Sequence, residues 1–137
     1  MSKHSGGCLC GQVHYEIDAD PVVGLQCQCV DCRKRSGGGH ASFIIFPEAM
    51  VSLEGPMKYH EKRADSGNMV TRGFCNECGS PVVSLSSGAP GMIGIMVGSL
   101  DNPTEFSPQL VAYASRALPW DLIDPALQKF PQMPPMS

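Results

Sequence analysis

No apolar segment of the sequence approaches the roughly 18 residues that a membrane-spanning helix needs, so no membrane partner is expected. The opening residues MSKHSGG lack the apolar stretch of a secretion signal, and the expectation is a soluble, cytoplasmic protein. Charge of one sign is also sparse, because the formal net charge of -3 comes without any long run of like residues. Such a chain offers no electrostatic footprint for a nucleic-acid backbone, so nucleic acid is not an expected partner. Helical signals are weak and short, and no internal repeat is present.

Turn-forming residues and cysteine are what the chain has in quantity. Its 15 glycines and 12 prolines separate short apolar segments with β-branched residues, a pattern that favours strands over helices. Strands are predicted at 13–17, 41–46, 51–53, 57–60, 69–74, 81–85, 92–97 and 109–113. Val13, Tyr15 and Ile17 alternate with His14 and Glu16, so this strand buries one face. Segments 43–46 and 92–97 are apolar on both parities, which predicts central strands or residues facing a second layer. One or two helical turns are predicted over 30–36, ended by Gly37-Gly38-Gly39, and Pro119-Trp120-Asp121-Leu122 is read as the opening of another short helix. Pro119 and Trp120 read as a core or lid anchor. At 137 residues and 42% hydrophobic content the chain suits one domain with one core, placed at 1–124. Residues 125–137 carry Pro125, Pro131, Pro134 and Pro135 and read as an irregular, proline-rich C-terminal tail.

The seven cysteines are grouped as Cys8-x-Cys10, Cys27-x-Cys29-x-x-Cys32 and Cys75-x-x-Cys78. An odd count in a reducing compartment argues against disulfides, and scattered core thiols would not cluster; chelation by short loops explains the spacing. Cys75 to Gly79 has the form of a zinc knuckle, with Gly79 permitting the positive φ of the tight turn. A tetrahedral site needs a second pair, supplied either by Cys8 and Cys10 or by two members of the central group. In the first case Cys27, Cys29 and Cys32 stay together with a vacant fourth position, the way catalytic zinc is held. Spacing alone leaves other divisions open, including a fourth ligand from His40 or His60 and a shared-thiolate cluster.

Across residues 7 to 120 five segments occur in a telling order: Gly7-Cys8-Leu9-Cys10-Gly11-Gln12-Val13-His14-Tyr15, Cys27-Gln28-Cys29-Val30-Asp31-Cys32-Arg33, Arg72-Gly73-Phe74-Cys75-Asn76-Glu77-Cys78-Gly79, Gly98-Ser99-Leu100-Asp101 and Ser115-Arg116-Ala117-Leu118-Pro119-Trp120. In these the sequence resembles the glutathione-dependent formaldehyde-activating enzyme family, which includes CENP-V-type proteins. The resemblance implies a mainly β fold, an Mss4-like β-tent of small antiparallel sheets stapled by zinc. It implies two zinc ions per chain, with Cys8, Cys10, Cys75 and Cys78 holding a structural zinc and Cys27, Cys29 and Cys32 an open, functional zinc. It also implies a carbon–sulfur lyase of the S-(hydroxymethyl)glutathione synthase type, with glutathione as co-substrate and a small electrophile such as formaldehyde as partner. One position departs from the family's frequent histidine, the residue between the first two thiols of the triplet, which here is Gln28.

An open zinc held by three thiolates favours a soft thiolate over a neutral carbonyl, which suits the thiol of glutathione. Arg33, Lys34 and Arg35 follow the third cysteine and are candidate clamps for glutathione's carboxylates, with Arg33 also placed to shield the thiolates by hydrogen bonds. The alternative from another functional class is a non-catalytic zinc-binding interaction module in which both ions are structural.

Overall fold

Short alternating or doubly apolar segments between glycine and proline turns fold as strands, and the computed structural model, which describes residues 3–134, arranges them in two sheets. In chain order the described residues form β1 (His4–Gly7), β2 (His14–Ile17), β3 (Val23–Cys27), α1 (Val30–Ser36), β4 (Ala41–Pro47), β5 (Val51–Glu54) and β6 (Met57–Arg63). There follow β7 (Met69–Cys75), β8 (Pro81–Ser86), β9 (Met92–Met96), β10 (Leu110–Ala112) and β11 (Gln128–Lys129). The small sheet has the order β1-β2-β5, and the large one β11-β10-β3-β4-β9-β8-β7-β6. Pairing is antiparallel except at one end of the large sheet, where β10 runs parallel to both β3 and β11. Among the described residues no helix is long and apolar enough to cross a membrane.

β4 shows why both of its parities are apolar. Ile44 and Phe46 enter a core shared with Val13, Tyr15 and Ile17, Val82 and Val83 of β8, and Ile93 and Ile95 of β9. Phe43 and Ile45, on the opposite face, pack against a second cluster of Leu25, Cys27, Ala112 and Tyr113. The strand lies between β3 and β9, the central position its composition predicts. β2 buries Tyr15 and Ile17 and exposes His14 and Glu16, so the small sheet lays one face on the large sheet. Burying a side chain such as Phe46, which is fully enclosed, contributes roughly 2–3 kcal/mol.

The small sheet is locked by a close approach. The Tyr15 hydroxyl donates to Ser99 Oγ at 2.6 Å, and Ser99 Oγ donates to the Met96 carbonyl at 2.7 Å. Gly6 of β1 lies over that pair, and a Cβ there would collide with the Ser99 carbonyl and the Tyr15 ring. A glycine-rich strand was not legible from propensity, since glycine weakens strands.

Helix α1 spans the residues expected and ends at Gly37, whose φ of 79° provides the left-handed cap. No helix opens at Pro119: residues 119–120 form a turn, and Trp120 is 66% exposed, so it is neither a helix start nor a core anchor. The segment after Pro125 is more ordered than its prolines suggest. Gln128 and Lys129 pair with β10, the Ala114 N–H reaches the Phe130 carbonyl, and Pro134 is buried. Proline removes a donor but not an acceptor, so a proline-flanked dipeptide still serves as an edge strand. Pro135 and the residues after it lie outside the described part of the chain.

Candidate metal centres and the adjoining cleft

The turns β1–β2 and β7–β8 carry two cysteines each, and packing of the small sheet on the large one brings them together. The sulfurs of Cys8, Cys10, Cys75 and Cys78 all lie within 4.8 Å of one another. A tetrahedral ion at the zinc–thiolate distance sets sulfur–sulfur edges of about 3.8 Å. The Cys8–Cys10 and Cys10–Cys75 edges are 3.5 and 3.8 Å, so the donor set fits such an ion. The turn geometry aims N–H groups at the sulfurs: Glu77 and Cys78 both donate to Cys75 Sγ at 3.4 Å, and Val13 donates to Cys8 Sγ at 3.2 Å. Gly79, at φ 78°, lets the knuckle turn back so that its N–H meets the Cys75 carbonyl. Ser80 ties the two turns together, accepting from the Leu9 N–H and contacting Cys78 Sγ at 3.1 Å. The Ser80 hydroxyl and then its N–H hold the Cys78 thiol down to about 5, which favours the thiolate a metal requires.

The second cluster is local. Cys27 ends β3 and is buried; Cys29 is the N-cap of α1, its sulfur accepting the Cys32 N–H at 3.3 Å; Cys32 lies in the first helical turn. Their three sulfurs also meet within 4.8 Å. Among the described residues no histidine joins this group. His40 is engaged elsewhere, and His60 is exposed on the edge strand β6. Hydrogen bonds from Cys27 and Cys32, helped by the Cys32 N–H and by Arg72, hold the Cys29 thiol far below its ordinary value. The same bonds and burial push Cys27 up. Three thiols this close form a donor set whose protons a binding metal displaces.

The three cysteines line a cleft of about 380 Å³, together with Leu25, Phe43, Ile45, Val70, Leu85 and Met96 among others. Of the basic run, Arg35 lines this cleft, while Arg33 and Lys34 are not in its wall. The Arg35 guanidinium donates to the carbonyls of Gly73 and Val83, both at 2.9 Å, and burial lowers its pKa to about 10.

Three residues that sequence reasoning did not single out also belong here. Arg72 lines the cleft from β7 and acts on Cys29 and Cys32 electrostatically; it stands within the quoted motif, but only strand pairing reveals its direction. Tyr113 is the one non-glycine residue at positive φ among those described (φ 57°, ψ 40°), and it lines the cleft. Burial, together with Cys29 and Cys27, raises its phenol pKa. Asp121 accepts from Gln28 Nε2 at 3.1 Å and pairs with His40 Nδ1 at 2.7 Å, with His40 Nε2 at 3.3 Å from Gln26 Nε2. A neutral His40 with its proton on Nδ1 satisfies both contacts. Gln28, nearly fully buried, thereby ties Asp121 of the 119–122 segment to the stretch between Cys27 and Cys29.

The fold is similar to that of a Rhodobacter sphaeroides protein of known crystal structure, with a TM-score of 0.58 and 19% identity over 72% of this chain and 88% of that one. A family model described as glutathione-dependent formaldehyde-activating enzyme matches residues 3–116. With both cysteine clusters assembled and the match spanning most of the sequence, the chain belongs to the glutathione-dependent formaldehyde-activating enzyme family.

Proposed function

We propose that the protein is a zinc-dependent carbon–sulfur lyase acting on glutathione adducts of formaldehyde or another small electrophile. The observation that carries this reading is the unequal design of the two clusters: four cysteines closed between turns, against three opening onto a cleft. In this reading Cys8, Cys10, Cys75 and Cys78 hold a structural zinc. When bound by Cys27, Cys29 and Cys32, a second zinc would offer a fourth position to an exogenous thiolate and lower that thiol's pKa.

The chain's own residues supply the rest. Arg72 offsets the negative charge of three thiolates. Tyr113, kept protonated, gives the cleft a neutral hydrogen-bond donor beside the cluster. Asp121, through Gln28, fixes the β3–α1 junction that presents Cys27 and Cys29. Arg33 and Lys34, outside the cleft wall, are the candidate anchors for the carboxylates of glutathione. The test is two-dimensional exchange NMR of the glutathione and formaldehyde equilibrium with zinc-loaded protein. Cross-peaks that grow in proportion to protein concentration support the lyase; unchanged exchange with formaldehyde and with other small aldehydes leaves the interaction-module reading.

A further inference from the structure

We propose that the cleft beside Cys27, Cys29 and Cys32 receives an apolar arm of the electrophile, so that the preferred adduct carries a hydrocarbon group absent from formaldehyde. This rests on the lyase reading and names its substrate class. A sulfur at the three-cysteine cluster bears two arms, the glutathionyl methylene and the electrophile's carbon, and one of them must enter the cleft.

Size and wall chemistry favour the hydrocarbon. A dry cavity of roughly 150 Å³ holds a benzene ring, whereas this cleft measures about 380 Å³. Formaldehyde, with two heavy atoms, would leave most of it unfilled. The apolar part of the wall includes Phe43 and Ile45 from β4, Val70 from β7, Leu85 from β8, and Met92 and Met96 from β9, with Ser66, Asn68, Ser84 and Ser86 as uncharged polar neighbours. The two methionines adapt their shape to an apolar guest.

Of the charged side chains in the wall, Asp31, Arg35 and Asp65 are already engaged, and Arg72 is the cation that acts on the cysteine cluster. Arg35 is spent on the Gly73 and Val83 carbonyls; Asp31 pairs with Lys62 at 2.6 Å and stands 4.0 Å from Arg72; Asp65 pairs with Arg116 at 3.6 Å. Glutathione carries two carboxylates and an ammonium group, and burying these without partners is costly. Its peptide arm therefore faces outward, and the electrophile's carbon chain occupies the cleft. The reaction balances without a redox partner. The thiol sulfur forms a bond to the carbonyl carbon, the carbonyl π pair moves to oxygen, and the thiol proton ends on that oxygen as the hydroxy thioether. The reverse reaction breaks the carbon–sulfur bond and returns the proton to sulfur.

The test uses zinc-loaded full-length protein labelled with ¹³C at the methionine methyls. The probe 2-phenylethanol should shift the Met92 and Met96 resonances saturably, and methanol at equal concentration should not. Ala89→Phe, which fills the cleft from the β8–β9 turn, should weaken the probe at least about fivefold. In exchange NMR with glutathione, phenylacetaldehyde should exceed formaldehyde in kcat/KM by at least about tenfold, as burial of a phenyl-sized group implies. Absence of shifts at both methyls, or a preference for formaldehyde, overturns the proposal while leaving the lyase reading intact. If neither aldehyde is accelerated, the lyase reading falls and the proposal falls with it, and persisting methyl shifts then show only that the cleft takes an apolar guest.

Discussion

Cys78→Ser and Cys29→Ser each remove one sulfur from a candidate metal site, yet they should differ sharply in what they do to folding. The first cluster joins turns from two sheets, with Cys10 and Cys75 separated by 65 positions. The second spans only Cys27 to Cys32, all at the end of β3 and the start of α1. Loop-closure entropy scales as (3/2)RT ln n, so the long-range crosslink stabilises the native state by about 2 kcal/mol more than the local one. Cys29→Ser also keeps an oxygen at the N-cap of α1, where serine is a favoured capping residue, so the helix start survives. At about 4 °C per kcal/mol for a chain of this length, the melting temperature of Cys78→Ser should fall about 8 °C further than that of Cys29→Ser. Circular dichroism melts on metal-quantified samples measure this directly. A Cys29→Ser protein that melts as low as Cys78→Ser would refute the division into a fold-holding cluster and a local one.

Arg72→Met should weaken retention of the second metal about tenfold while the first is unaffected, because a cation that acts on both Cys29 and Cys32 is lost; competition with a chromophoric chelator reads both ions. Burial raises the Tyr15 pKa to about 12, above the unfolded value near 10, so its contribution is complete below about pH 10 and is lost as pH rises towards 12, by about 2 kcal/mol. Urea unfolding at pH 9 and pH 11 should show about 1 kcal/mol of that loss in the parent protein and less in Tyr15→Phe.

The strand pattern was largely readable because β-branched residues and turn punctuation act locally: each of the eight predicted segments overlaps an observed strand. β1 and β3 were not readable. His4–Gly7 is half glycine, and its strand depends on Tyr15 and Ser99 closing over Gly6. Val23–Cys27 carries Gly24 between apolar residues and pairs with β4 and β10, a tertiary choice that propensity cannot show. The cysteine groups were visible from spacing, since chelation by short loops leaves a signature in sequence. The pairing of Cys8 and Cys10 with Cys75 and Cys78 came from resemblance and now follows from the packing of one sheet on the other. Arg72, Tyr113 and Asp121 were opaque because their roles depend on strand direction, a left-handed backbone and a contact across 93 positions. In the basic run, sequence order could not tell which of three adjacent cations the helix turns towards the cleft.

On the proposed reading, Cys27, Cys29 and Cys32 hold a metal whose fourth position accepts an outside thiolate. Cobalt-substituted protein with two ions per chain tests it directly, since the visible bands of a three-thiolate centre change when a fourth thiolate enters. A saturable change is expected on adding millimolar glutathione, retained in a sample whose four-cysteine cluster is first filled with zinc. An unchanged spectrum, with cobalt shown to occupy the three-cysteine cluster, would contradict it.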